Sequence, residues 1–183
     1  MRTSQFEQLP PPTGRVVFLG DSITEGGLWQ EWFPEVESVN RGIGGDTIDN
    51  LLTRLDTAID APAAVFMLIG TNDLGLGRST DRVAADMRRL VGGVRDRAAE
   101  APLFVQSVMP RRGRFAGRIR ELNHVYREIA EQAEAVYIDL WPALADENGC
   151  LRGEFTRDRL HLSGAGYAAW VELLRPYIRT LPV

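Results

Sequence analysis

The sequence predicts a single α/β domain, a three-layer sandwich around a five-stranded parallel sheet. Five short apolar runs are separated by longer segments in which apolar residues recur with helical period. The runs at residues 16–19, 64–69 and 136–138 are continuously apolar, which is typical of strands covered by helices on both faces. A chain of 183 residues can bury about 70% of its unfolded surface, enough for one core. We therefore expect residues 1–183 to form one domain, with residues 1–14 as an N-terminal extension.

Each apolar run ends in a turn and is followed by a helical pattern. The predicted strands are, in chain order, residues 16–19, 36–39, 64–69, 103–108 and 136–138. The predicted helices are residues 24–33, 48–59, 80–94, 117–132 and 163–179. The second helix has an apolar face and stops before Pro62, and the glycine pair Gly92 and Gly93 is the weak point of the third. Strands alternating with helices in this way favour a parallel sheet.

Charge and hydropathy exclude several classes of protein. The formal net charge is −4, so no basic footprint for nucleic acid is present. No stretch approaches the eighteen or so consecutive apolar residues of a membrane span. Residues 1–14 carry Glu7 and Pro10 to Pro12 where a signal peptide would need an apolar run. We expect a cytoplasmic protein, and the sequence leaves its oligomeric state open, with a homodimer as one partner arrangement to test.

The reactive side chains present in the sequence exclude several catalytic mechanisms. All 21 basic residues are arginine, which removes Schiff-base lysines, Ser–Lys pairs and the lysine of a Walker A loop. Cys150 is a lone cysteine, and with only His124 and His161 no zinc site made mainly of Cys and His can form. Carboxylate sites for Mg²⁺ or Ca²⁺ remain open, although we predict no metal and no cofactor.

Polar residues follow the strands at their carboxyl ends, where open α/β sheets bind ligands. Ser22 comes directly after strand one, at a turn whose backbone N–H suits a developing oxyanion, and is a candidate nucleophile. His161 is the candidate base because Asp158 lies three residues before it. Gly45 offers a backbone N–H after strand two, and Asn72 offers an amide NH₂ after strand three. These groups would complete a three-donor oxyanion hole.

Four sequence blocks resemble those of the SGNH, or GDSL, hydrolase family. They are Gly20-Asp21-Ser22, Gly45, Gly70-Thr71-Asn72-Asp73 and Asp158 to His161. The stretch from Asn40 to Thr47 most resembles the branch that contains the platelet-activating-factor acetylhydrolase catalytic subunits. The resemblance implies a flavodoxin-like strand order of 2-1-3-4-5 and a serine esterase without cofactor. It also implies Ser22 as nucleophile, Asp158 and His161 as its triad partners, and the N–H groups of Ser22, Gly45 and the Asn72 side chain as oxyanion donors.

The substrate would be a small ester with a short acyl group, because the loops after the strands are too short to enclose a long chain. Arg111 and Arg112 are the first of five arginines within residues 111–120, after strand four. They are candidates for binding an anionic or phospholipid-like substrate. The alternative is that they belong to a solvent-exposed loop with no role in binding.

Each site residue also has an ordinary structural interpretation. Ser22 could cap a helix, Gly45 could serve a turn with positive φ, and Asn72 could form an Asx turn. The alternative for the whole protein is a flavodoxin-like binding module that holds a nucleotide or phosphate without turnover. It explains the glycine-rich loop but not His161 paired with Asp158.

The remaining reactive residues are expected to be structural. Asp21, Asp46 and Asp73 are interpreted as hydrogen-bond acceptors that fix loops. His124, in the middle of a helix, is interpreted as structural, and Cys150 as unreactive.

Overall fold

A computed structural model, which describes residues 2–181, contains one five-stranded parallel sheet of order β2-β1-β3-β4-β5. The sheet class and the strand order are those predicted. The strands are β1 (Val16–Gly20), β2 (Ser38–Gly42), β3 (Ala64–Leu68), β4 (Leu103–Gln106) and β5 (Val136–Ile138).

Helices lie on both faces of the sheet. They are α1 (Arg2–Phe6), α2 (Ser22–Glu25), α3 (Trp29–Trp32), α4 (Ile48–Thr53), α5 (Leu55–Ala58), α6 (Thr71–Gly75), α7 (Thr80–Arg97), α8 (Ala116–Gln132), α9 (Trp141–Leu144) and α10 (Gly164–Ile178). Short 3₁₀ turns occupy Gly113–Phe115 and Gly153–Phe155. Within residues 2–181, no helix combines the length and the apolar character needed to cross a bilayer.

Two predicted helices are interrupted. The helix expected over residues 24–33 is split into α2 and α3, because the Asn40 side chain donates to the carbonyls of Thr24, Glu25 and Gly27 at 2.9–3.0 Å and so ends α2. The helix expected over residues 48–59 is split at Arg54, whose backbone leaves the helical region (φ −121°, ψ 14°). Both interruptions depend on partners distant in sequence.

Other boundaries also differ from the expectation. β2 begins two residues late because Val36 lies in a turn, with its N–H donating to the carbonyl of Phe33. α7 runs through Gly92 and Gly93, since Leu90 and Val94 on either side keep its apolar face buried. Helices α1, α6 and α9 were not predicted; each has four or five residues, too few for a periodic pattern.

The two faces of the sheet support separate apolar layers. Successive strand residues alternate between them, so that Val17 and Leu19 face α4, α5, α7 and α8, whereas Phe18 faces α3 and α10. On the second face the rings of Phe18, Phe66 and Phe104 stack across three neighbouring strands, with centroids 5.3 and 4.2 Å apart. This arrangement is the predicted three-layer sandwich.

The C-terminal helix α10 is fixed to the sheet and to α2 by two polar contacts. Trp170 Nε1 donates to Gln106 Oε1 of β4 at 2.7 Å, and Tyr167 Oη donates to the carbonyl of Ile23 at 2.8 Å. Because the loop before α10 carries His161, these bonds set the position of that histidine relative to Ser22.

Residues 1–14, expected as an extension, pack onto this domain where the structure describes them. Phe6 is buried, and the Arg41 guanidinium lies over its ring at 4.6 Å. The contact joins α1 to β2 by a cation–π interaction.

Candidate active site

Three predicted site residues form one hydrogen-bonded series at the carboxyl edge of the sheet. Ser22 Oγ lies 3.1 Å from His161 Nε2, and His161 Nδ1 lies 2.7 Å from Asp158 Oδ2. The carboxylate at Nδ1 favours a proton on that nitrogen, which leaves the Nε2 lone pair facing the serine hydroxyl. The series can therefore remove a proton from Ser22.

Asp158 is oriented by its own loop. Its Oδ1 accepts the backbone N–H groups of His161 at 2.8 Å and Leu160 at 2.9 Å, and the Thr156 hydroxyl lies at 3.3 Å. The hydrogen bond from the His161 ring, assisted by these two backbone bonds, holds the pKa of Asp158 well below its usual range. Asp158 therefore stays ionised wherever the imidazole can act as a base.

The turn after β1 places Ser22, the predicted nucleophile, at the first position of α2. Asp21 caps this helix, with Oδ1 accepting the Ile23 N–H at 3.0 Å. Among residues 2–181, the Ser22 N–H has no acceptor, so it can donate to a bound group. Complete burial raises the pKa of Asp21 to about 7, and the neighbouring Asp46 and Asp73 charges add to the rise.

The loop after β2 approaches the turn that carries Ser22 closely. A Cβ at Gly42 would lie 2.2 Å from the backbone nitrogen of Glu25, so no other residue fits there. The Gly44 N–H donates to the Glu25 carboxylate. Gly45 follows with φ +83° and is exposed, and in the described part of the chain its N–H has no acceptor. The predicted second donor is thus unpaired, and it follows Gly44, whose Cβ position would lie 3.8 Å from the Ser22 Cβ.

Asn72 lies on α6, after β3. Its Nδ2 donates to the backbone carbonyl of Asp46 at 2.9 Å, which fixes the plane of the amide and uses one of its two N–H bonds. The next residue, Asp73, is fully buried and accepts the Ile48 N–H at 3.2 Å and Arg78 Nη1 at 2.7 Å. These bonds join α6 to the loop that carries Gly45.

The three aspartates interpreted as acceptors do accept hydrogen bonds. Asp21 and Asp73 bind backbone N–H groups, as described above, and Asp46 Oδ2 accepts from Arg54 Nε at 2.7 Å. Burial raises the pKa of Asp46 and also that of Asp73. The positive charge of Arg54 partly opposes this rise at Asp46, and that of Arg78 partly opposes it at Asp73.

Arg111 and Arg112 have different environments. Arg111 Nη1 donates to the backbone carbonyl of Thr71 at 3.0 Å, and its guanidinium stacks on Phe115 at 4.1 Å. Arg111 therefore supports the turn before Asn72, whereas Arg112 is exposed.

His124 and Cys150, interpreted from the sequence as structural and unreactive, have contacts of their own. His124 is exposed on α8 and pairs with Glu128 at 3.4 Å. Cys150 has a free thiol, and residue 150 forms a β-bridge with residue 111.

Sequence reasoning missed three residues that organise the site. Glu25 holds the loop before Gly45, Tyr167 joins α10 to α2, and Arg54 binds Asp46. Only Arg54 left a signal, since it interrupts a run of leucines at 51, 52 and 55 with a charge. Glu25 and Tyr167 had no such signal, because their partners, Gly44 and Ile23, are distant in sequence.

A serine, a histidine and a carboxylate in hydrogen-bonded series at a sheet edge is the arrangement used by serine hydrolases. The sequence pattern of the GDSL-like Lipase/Acylhydrolase family matches residues 18–169. The platelet-activating factor acetylhydrolase IB subunit alpha1 of Pongo abelii is 30% identical over 84% of this chain and 70% of its own.

Solved structures show the same likeness. A Streptococcus pneumoniae protein described as a platelet activating factor has a TM-score of 0.88 and 28% identity, covering 96% of this chain and 90% of that one. An acylhydrolase from Bacteroides fragilis shares the fold, with a TM-score of 0.80 at 24% identity over 97% and 93% of the two chains. The chain belongs to the GDSL-like lipase/acylhydrolase family. It is an ester hydrolase similar to the platelet-activating factor acetylhydrolases.

Proposed function

We propose that the protein is a serine esterase that removes short acyl groups through an acyl-enzyme on Ser22. The observation that carries the proposal is the series from Ser22 through His161 to Asp158, with spacings of 3.1 and 2.7 Å. Such a series raises the nucleophilicity of a serine that would otherwise stay protonated.

The reaction follows from these contacts. His161 Nε2 takes the Ser22 proton as Oγ attacks the ester carbonyl, and Asp158 stabilises the imidazolium without accepting its proton. The Ser22 and Gly45 N–H groups and the second amide N–H of Asn72 receive the oxyanion. The tetrahedral intermediate collapses as the imidazolium protonates the leaving alcohol. Water, activated by the same imidazole, then attacks the acyl-enzyme and releases the acid.

The preference for short acyl groups is supported by the openness of the site. The His161 and Asp158 side chains are each 51% exposed. The longest segment near the site, between β5 and Asp158, is packed against the body of the domain, with Leu144 and Leu151 buried. It therefore has no free loop with which to cover a long chain. A methylene that stays in water contributes none of the roughly 0.8 kcal/mol gained on burial.

Arg112 would meet an anionic substrate at the rim, whereas Arg111 would act through Thr71 and the turn that carries Asn72. The two roles differ because Arg112 is exposed, whereas the Arg111 guanidinium donates a hydrogen bond to the Thr71 carbonyl.

A panel of p-nitrophenyl esters from acetate to palmitate tests the proposal. We expect kcat/KM to be highest from acetate to butyrate and to fall before octanoate. An organophosphate should block turnover and leave its adduct on Ser22. Ser38→Ala, at the amino-terminal start of β2, serves as the control for removal of a serine hydroxyl outside the site. This variant should keep full activity. A rate that climbs steadily to palmitate would contradict the short-chain preference, and an adduct on another serine would contradict the assignment of Ser22.

A further inference from the structure

A buried guanidinium lies beneath the loops that carry the proposed oxyanion donors. Arg54 is only 4% exposed and forms an ion pair with Asp46, with Nε 2.7 Å from Oδ2. Burying an ion pair costs several kcal/mol in desolvation, and apolar residues of similar size often stabilise a fold as well or better. Stability alone therefore does not account for an arginine at this position.

The other contacts of Arg54 tie together the ends of two strands. Its Nη2 donates to the backbone carbonyl of Gly20, at the end of β1, at 3.1 Å and to that of Arg41, in β2, at 3.0 Å. Ser22 follows Gly20 by two residues, and Gly45 follows Arg41 by four. One planar group thus sets the spacing between the two segments that supply backbone N–H donors.

The same group also reaches the third donor. Asp46, held by Arg54 through its side chain, accepts Asn72 Nδ2 through its backbone carbonyl at 2.9 Å. This bond leaves the other N–H of the Asn72 amide free to point at the oxyanion. A shift of Asp46 would therefore move both the adjacent Gly45 N–H and the Asn72 amide.

We propose that Arg54 is a positioning residue that holds the oxyanion hole together, acting through the end of β1 and through Asp46 without touching the substrate. The inference rests on the proposed function, since it assumes that Ser22, Gly45 and Asn72 receive the oxyanion. Lysine cannot replace Arg54, because it lacks the planar fork that binds a carboxylate and two carbonyls at once.

The test compares Arg54→Lys with Arg95→Lys in steady-state hydrolysis of p-nitrophenyl acetate. Arg95 is a matched control, since it also donates to backbone carbonyls, including those of Ala101 and Ala133, but at the opposite edge of the sheet. We expect Arg54→Lys to lose roughly 10²-fold in kcat, with KM within about twofold and the pH profile unmoved, as misplacement without loss of the base would produce. Arg95→Lys should lower Tm and leave kcat unchanged.

A double-mutant cycle separates positioning from general destabilisation. In the Asn72→Ala background, Arg54→Lys should cost much less than it does alone, because part of its effect passes through Asn72. Losses that multiply, or a folded Arg54→Lys protein with the original kcat, would overturn the proposal.

If Arg54→Lys does not fold, the neutral pair Arg54→Met with Asp46→Asn replaces it and should show the same loss in kcat. Failure of both to fold would make Arg54 a purely structural residue and the proposal wrong.

Turnover by the unmodified protein that does not depend on Ser22 would refute the proposed function. Turnover that depends on Ser22 but not on Arg54 would refute only the positioning role.

Discussion

Replacement of Asp21 by asparagine should stabilise the protein at neutral pH and change its stability little in acid. Asp21 is 1% exposed, and within residues 2–181 its Oδ2 has no hydrogen-bond partner. Burial raises the pKa of Asp21 from 3.8 to about 7, with Asp46 and Asp73 adding to the rise and His161 opposing it. The folded protein therefore binds this proton more tightly than the unfolded chain does.

The sign of the effect follows from that difference. Below about pH 4 the carboxyl is protonated in both states, and asparagine resembles it in shape and hydrogen bonding. As the pH rises towards 7 the unfolded chain releases the proton first, so the original protein loses stability relative to the variant. Above 7 the difference is constant. An ordinary value of 3.8 and a folded value of about 7 correspond to a difference on the order of 4 kcal/mol.

Thermal unfolding at pH 4, 5, 6, 7 and 8 measures this difference directly. We expect Asp21→Asn to unfold roughly 10 °C above the original protein at pH 8 and within a few degrees of it at pH 4. Asp96→Asn, an exposed position on α7, controls for removal of a surface charge and should show no such trend. Equal offsets for Asp21→Asn at all five pH values would refute the reasoning, because they would show that Asp21 does not change protonation between the two states.

The remaining predictions concern catalysis. Ser22→Ala and His161→Ala should each remove most hydrolysis, and the double variant should lose little more, because the two groups act as a unit. Asp158→Asn should lower kcat by up to about 10⁴-fold, since the amide no longer favours the proton on Nδ1. Asn72→Ala should lower kcat by roughly 10²–10³-fold with KM nearly unchanged, because its donor serves a charge that develops in the transition state. Since the pKa of Asp158 lies well below its usual range, the loss of activity in acid should follow a single proton down to about pH 4.

Steady-state kinetics and circular dichroism of each variant check these expectations. Multiplying losses for Ser22→Ala and His161→Ala would argue against their pairing. A loss under tenfold for Asp158→Asn would mean that another acceptor orients the imidazole. For Asn72→Ala, an effect confined to KM would identify the side chain as a substrate-binding group. An acid limb with a two-proton slope would show that Asp158 titrates together with its partner.

The sequence supports prediction of the site better than prediction of the helices around it. The polar residues of the candidate site lie in short sequence blocks that follow one another along the chain. Ser22, Asn72 and the Asp158 loop could therefore be located from the residue types in each block and from the order of the blocks. The break at Arg54 and the end of α2 could not, because each depends on a side chain bonding to backbone groups from other elements. Arg54 lies 34 residues from Gly20, and Asn40 lies 16 residues from Thr24. Local periodicity contains no information on such bonds.

The separation of Ser22 from His161 along the chain, 139 residues, has a consequence for the order of folding events. β1 and the turn that carries Ser22, the proposed nucleophile, are synthesised early, whereas His161, the proposed base, follows all five strands. A nascent chain that ends before His161 lacks the proposed base and should not hydrolyse an ester by this route, however complete its sheet. On refolding, long-range closures of this kind are slow compared with local helix formation. During refolding we expect hydrolysis to recover later than the far-UV circular dichroism of the helices. The recovery of activity should then report when α10 docks through Tyr167, and not when the sheet forms.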